Sequence, residues 1–242
     1  MSTDISIVIP AFNEAAKIGA DVRAAAAFIA AQNMKGEVIV VDDGSTDATT
    51  ETARNAEIPG KVKRTVIRLD QNSGKGAAVK TGVLKSKGEI VLFADSGLCV
   101  PFSDSLPILD RVRGGLCHIA LASRLHKDTK IKKNRPLKRR LLSRLFHIAA
   151  VLITGLPAKI KDSQCGFKLY KGDIARELFA LCGSSGYLFE LEIFLRALRK
   201  GYRIEEFPIR WTCDLDTRLR PGRDACAVLK ELFFLRRSAG SQ

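Results

Sequence analysis

The chain is poor in the residues that usually announce a metal cluster, a stapled fold or a nucleic-acid reader. Its six cysteines (Cys99, Cys117, Cys165, Cys182, Cys213 and Cys226) form no CxxC pair and no cluster with the three histidines, which argues against a zinc site or a disulfide framework. Aromatic residues make up 7% of the chain, with a lone tryptophan, Trp211, and none interleave with its basic run as stacking platforms for RNA. No apolar run approaches the ~20 residues of a membrane span, and the start "MSTDISIVIP" enters a strand without a leader. Negative charge is short as well: 26 acidic side chains face 40 Lys and Arg, leaving a formal charge of +14 and a pI near 9.7. An anionic partner is implied: nucleic acid, an anionic membrane surface or a phosphorylated substrate. The expected setting is cytoplasmic, soluble or peripheral.

What is present is a regular alternation. "ISIVIP" (5–10), "GEVIVVDD" (36–43), "KRTVIRLD" (63–70), "EIVLFAD" (89–95) and "HIALASR" (118–124) read as strands. The stretches between them, such as "NEAAKIGADVRAAAAFIAAQ" and "GKGAAVKTGVLKSK", read as helices. That spacing predicts an α/β fold with a Rossmann-like, doubly wound, mostly parallel sheet flanked by helices. A sheet of this kind gathers its ligand at the carboxyl ends of its strands, where "PAFNE", "DDGSTD", "NSGKG" and "ADSG" all fall. With no linker or repeat in view, residues 1–242 read as one domain, with a regular half at 1–124 and a less regular half at 125–242.

Each motif carries chemistry of its own. In "VVDDGSTD", Asp42 and Asp43 stand at a strand end before a Gly turn, suited to accept hydrogen bonds from a ribose or base; Ser45, Thr46 and Asp47 would also cap a helix. In "NSGKGAAVKTG", Gly74 and Gly76 flank Lys75 at a helix start, where exposed N–H groups and a cation suit a diphosphate. Between Arg124 and Arg144 lie ten Lys or Arg against one Asp, followed by the apolar "LFHIAAVLITGLP". That pairing fits peripheral docking on anionic lipid, with a buried core helix as the alternative. "WTCDLDTRLRPGRD", carrying Arg218, Arg220 and Arg223, reads as a mobile loop over a ligand site or as an exposed basic connector. Glu190 and Glu192 are weaker site candidates.

Taken in order, "IVIPAFNE", "VVDDGSTD", "NSGKGAAVKTG" and "IVLFAD" resemble the family 2 glycosyltransferases of the GT-A fold. "ASR", "RRLLS", "DSQCGFKLY" and "YLFELEIFLRALRKGYRIEEFPIRW" extend the resemblance to the dolichyl-phosphate glucosyl- and mannosyltransferases. The resemblance implies that Pro10, Ala11, Asn13, Glu14, Asp42 and Asp43 cradle the nucleotide, with Lys75, Gly76, Asp95 and Ser96 completing the nucleotide-sugar site. It implies that Asp95 holds the metal, Mg²⁺ or Mn²⁺, and that Asp162 lies near the metal or the acceptor phosphate. Arg124 and Arg139, with Arg140 and Arg218, would clamp a polyprenyl phosphate. The catalytic set is then Asp95, Asp162, Arg124 and Arg139.

One position departs from the pattern. Where such enzymes carry Asp-x-Asp after the fourth strand, this chain has Asp95, Ser96 and Gly97, so a weakened metal site is expected. The implied activity is inverting transfer of a hexose from UDP-glucose or GDP-mannose to a polyprenyl or dolichyl phosphate at the cytoplasmic face of a membrane. Two alternatives stand beside it: a family 2 transferase with another acceptor, and a protein that binds nucleotide sugar without transferring it. A nucleic-acid module ranks below both.

Overall fold

The computed structural model describes residues 2–133, 137–213, 232, 233, 235 and 236, with side chains described for all of these except 133 and 137–140. Nine strands and seven α-helices fall within these residues. Among them are β1 (Thr3–Ala11), β2 (Gly36–Asp42), β3 (Lys63–Arg68), β4 (Gly88–Ala94) and β5 (Ile119–Ala122), with α1 (Ile18–Ala31), α2 (Thr49–Asn55), α3 (Lys75–Lys85) and α4 (Leu106–Arg113) between them. The expected strands and helices of the first half are thus all present. Their ends differ from the sequence reading by a few residues, as hydrogen bonding at element ends frays.

The second half supplies β6 (Lys130–Lys133), α5 (Leu137–Thr154), β7 (Phe167–Lys171), α6 (Gly172–Leu181), α7 (Phe189–Arg199), β8 (Ile204–Phe207) and β9 (Arg210–Thr212). The seven-stranded sheet has the order β3-β2-β1-β4-β7-β5-β8. All its pairings are parallel except those of β7, which runs antiparallel to both β4 and β5. A strand of the second half is therefore inserted between two strands of the first. β6 and β9 form a separate parallel pair.

Alternation along the strands sorts side chains onto two faces. Ile5, Ile7 and Ile9 of β1 join Ile90 and Leu92 of β4 in a core with α1 and α4, whereas Val8, Val91 and Phe93 join a second core with α3, α6 and α7. Helix α1 buries Ile18, Val22, Ala25 and Ile29 at helical spacing, and Asp21 lies in the same buried stripe. Helix α3 crosses the sheet so closely that a Cβ on Gly82 would overlap Val8 and come 3.1 Å from Val41 Cγ2.

Gly82→Val should therefore overpack this crossing at a cost of roughly 1–3 kcal/mol. That is a fall of about 2–12 °C in Tm for a chain of this size, read by thermal unfolding; an unchanged Tm would contradict the packing.

Candidate active site

Because β1, β2, β4 and β5 point the same way and β7 points against them, five chain segments meet at one edge of the sheet. These are the ends of the four parallel strands and the beginning of β7. "PAFNE", "DDGS", "ADSG" and "ASR" arrive as strand ends, and "DSQCG" arrives as the approach to β7.

The first two loops lock into each other. Asn13, left-handed at φ 51, accepts the Thr46 N–H at Oδ1 (2.8 Å) and donates its own N–H to Ser45 Oγ (2.8 Å). The Glu14 N–H donates to Thr49 Oγ1 (2.8 Å), and the Glu14 carboxylate lies 3.6 Å from Lys17 Nζ. Pro10 and Ala11 end β1, where the Ala11 carbonyl accepts the Asp43 N–H at 2.8 Å. Asp42 is fully buried and accepts the Ser45 N–H and the Thr50 hydroxyl. Asp43 accepts the Ser73 and Gly74 N–H groups at 2.7 and 2.9 Å, and burial raises its carboxyl above the usual range. Both aspartates, expected to face a ribose or base, also tie down the loops that frame the site.

The start of α3 also differs from the sequence reading. The N–H groups expected to cradle a diphosphate are in part already taken: Ser73 and Gly74 donate to Asp43, and Ala77 donates to the Ser185 carbonyl at 3.2 Å. Gly76 lies so close to the Ser184 and Ser185 carbonyls that a Cβ there would come within 2.8 Å of each. Glu192 fixes that covering loop by accepting the Gly183 and Ser184 N–H groups. What α3 offers the site is the Lys75 ammonium, 2.8 Å from Asp95 Oδ1, 3.0 Å from Oδ2 and 5.2 Å from the Phe93 ring centre. Burial acts to lower the Lys75 pKa, but Asp95, with Glu190 adding to it, more than offsets burial and holds the ammonium above its ordinary value.

Asp95 donates its N–H to the Gly166 carbonyl (2.8 Å), and a side chain at Gly166 would overlap the Asp95 carboxylate. The loop after it is anchored by a residue the motifs did not flag. Asp21, buried in α1, accepts the Ser96 hydroxyl (2.5 Å) and the Gly97 and Leu98 N–H groups (3.0 and 3.1 Å). Its place in the apolar stripe of α1 was the available signal. Gly97 has φ 103, a conformation that a side chain takes only with strain. The second carboxylate of Asp-x-Asp is therefore disfavoured by the backbone as well as absent from the sequence.

Arg124 and Asp162 do meet, but each faces the other. Arg124 Nε and Nη2 lie 2.7 and 2.6 Å from the two Asp162 oxygens, and its N–H adds a third bond. Burial works against the Arg124 charge, but Asp162 more than restores it. Trp211 stacks 5.8 Å from the guanidinium, while Glu206 accepts the Asp162 N–H at 2.7 Å. Arg139 and Arg140 lie in α5 with side chains outside the described set, and Arg218, Arg220 and Arg223 lie outside the described residues. Among the described residues no group of three His, Cys, Asp or Glu gathers to hold a metal.

This layout is that of the GT-A fold, with the sequence motifs gathered at the carboxyl ends of a mostly parallel sheet. Its solved neighbours share that fold. A mycobacterial protein aligns over 98% of this chain and 74% of its own at 22% identity and a TM-score of 0.71. The Mycobacterium tuberculosis glucosyl-3-phosphoglycerate synthase, in complex with Mn²⁺, UDP-glucose and phosphoglyceric acid, aligns over 98% and 79% at 21% identity and a TM-score of 0.65. The chain belongs to glycosyl transferase family 2, whose profile matches residues 6–179, and it is a glycosyltransferase. It is 32% identical to the dolichyl-phosphate β-glucosyltransferase of Saccharomyces cerevisiae over 96% of this chain and 74% of that protein. The human dolichyl-phosphate β-glucosyltransferase is 31% identical over the same shares, 96% and 74%.

Supplying the absent carboxylate should not improve the site. Gly97→Asp should cost roughly 1–2 kcal/mol of backbone strain, about 2–8 °C in Tm, and should not tighten Mg²⁺ binding in a calorimetric titration. Tighter metal binding at an unchanged Tm would show the loop to be freer than Asp21 allows.

Proposed function

We propose that this protein transfers glucose from UDP-glucose, with inversion, to dolichyl phosphate or another polyprenyl phosphate, working as a peripheral enzyme at the cytoplasmic face of a membrane. The observation that carries the reading is the meeting of Lys75 and Asp95 with Arg124 and Asp162 at one sheet edge, in a chain that matches dolichyl-phosphate β-glucosyltransferases along nearly its whole length.

Asp95 fits a divalent ion in a restricted way. It presents one partly exposed carboxylate, which suits Mg²⁺ or Mn²⁺ when the remaining ligands are diphosphate oxygens and water. Such an ion would neutralise charge developing on the leaving diphosphate. Lys75 is bonded to both Asp95 oxygens, so on donor binding its ammonium turns to the diphosphate and supplies a second positive charge there. An acceptor phosphate oxygen attacks the anomeric carbon as the bond to the diphosphate oxygen breaks and UDP leaves with that electron pair. A phosphate monoester, with a second pKa of ~6, is already anionic at neutral pH, so no general base is needed. Two of the three histidines accept backbone N–H groups: His118 from Arg203, 85 residues away in sequence, and His126 from Asp128 in its own turn.

Helix α5 supplies the membrane face in this reading. Leu141, Leu145, Ile148 and Leu152 share one exposed side, Leu145 at 54% and Leu152 at 75% exposure, while Phe146, Ala149, Ala150 and Ile153 turn to the core. Among the described residues no helix is long and apolar enough to cross a membrane. An amphipathic helix with Lys and Arg at its start instead suits the interface plane.

The test is transfer of labelled glucose from UDP-glucose to polyprenyl phosphate. The wild type should form lipid-linked glucose, and Lys75→Met should lower kcat/KM by ~10²–10³, as loss of one positioned charge does. Formation of UDP with no lipid product would refute the acceptor. In flotation with anionic vesicles, Leu145→Glu/Leu152→Glu should weaken binding at least ~10-fold, since a buried leucine is worth roughly 1.5–3 kcal/mol. Undiminished flotation would remove α5 from the interface.

A further inference from the structure

Beneath the site lies an ion pair that the transfer chemistry does not use. Lys168, in the middle of β7, is 0% exposed, and its ammonium lies 2.6 Å from Glu190 Oε1 of α7. It also donates to the Cys165 carbonyl and lies 5.7 and 5.8 Å from the ring centres of Phe93 and Phe194. Glu190 is 1% exposed and already bonded, so it is poorly placed to take a proton from an acceptor.

Stability alone is a weak reason for such a pair. Desolvating two charges offsets most of their attraction, and well-packed apolar replacements are often neutral or stabilising. What the pair does hold is the turn before β7. Lys168 ties down the carbonyl of Cys165. The next residue, Gly166, gives its own carbonyl to the Asp95 N–H and, having no side chain, admits the Asp95 carboxylate against it. The contacts run without a gap from Glu190 through Lys168 and the Cys165–Gly166 turn to Asp95. Phe93, two residues before Asp95, has Lys75 and Lys168 at 5.2 and 5.7 Å from its ring centre.

We propose that Lys168 and Glu190 are positioning residues: by holding the Cys165–Gly166 turn they aim the Asp95 carboxylate and so set how strongly a divalent cation is held with the donor. The proposal rests on the reading of Asp95 as the metal and diphosphate residue. Its partners would then act as outer-shell groups around a metal ligand, whose loss commonly costs ~10–100-fold in metal affinity.

The experiment measures UDP-glucose affinity by calorimetry in Mn²⁺ and in EDTA, with thermal unfolding alongside, for the wild type, Lys168→Met/Glu190→Leu and Glu190→Gln. The double variant removes both buried charges and should unfold close to the wild-type Tm. Its affinity in EDTA should match the wild type, while the gain on adding Mn²⁺ falls ~10–100-fold. Glu190→Gln keeps the side-chain length and an oxygen facing Lys168; it should lose part of the same gain and decides the matter if the double variant does not fold. Variants that keep the full wild-type Mn²⁺ gain overturn the positioning role. A wild type whose donor binding shows no Mn²⁺ gain overturns the reading of Asp95, and this inference with it.

Discussion

The site depends on the antiparallel insertion of β7 between β4 and β5. Were β7 parallel to its neighbours, its approach would lie at the opposite edge of the sheet, far from every strand end that carries a motif. Running against them, with Phe167 opposite Ala94, it delivers Asp162, Cys165 and Gly166 to the place where Asp95 ends β4 and Arg124 follows β5. The Asp95 N–H then closes on the Gly166 carbonyl, and the two halves of the chain share one site.

At that edge the charges are arranged in pairs. Lys75 faces Asp95, Arg124 faces Asp162, and Lys168 faces Glu190. Burial penalises each charge singly, and each is kept by its partner. The pairs grade from half-open to sealed: Asp95 is partly exposed, Arg124 and Asp162 are mostly covered, and Lys168 with Glu190 is shut away. The Lys75 and Asp95 pair is thus the one whose partners can exchange most readily for new ones. The deeper pairs are suited to holding shape.

Much of this was legible in the sequence, for identifiable reasons. Strands β1 to β5 followed from apolar runs closing on polar residues, and the gathering of motifs followed from the rule that parallel strands present their carboxyl ends together. Asp95 and Lys75 were named as site candidates because each lies in a short motif with glycine, and the structure pairs them. Strand β7 was missed because "FKLYK" is brief and has lysines at its second and last positions, and the partner that makes Lys168 tolerable, Glu190, is 22 residues away. The carboxylates of "DDG" are visible in the sequence, but the N–H groups of residues 73 and 74 that fold back onto Asp43 are not. Asp21 and Gly166 act only through long-range contacts. Helix α5 reaches back into the basic run, so the apolar stretch and the charges before it form one amphipathic element rather than two.

In the proposed reaction Asp95, without a second carboxylate in its motif, serves a donor-bound divalent ion with Lys75 beside it. Calorimetric titration of the wild-type protein with UDP-glucose, in Mg²⁺ and again in EDTA, tests it most directly. UDP-glucose should bind in both conditions and several-fold more tightly in Mg²⁺, with little Mg²⁺ bound when the donor is absent. Donor binding that EDTA leaves unchanged would contradict it.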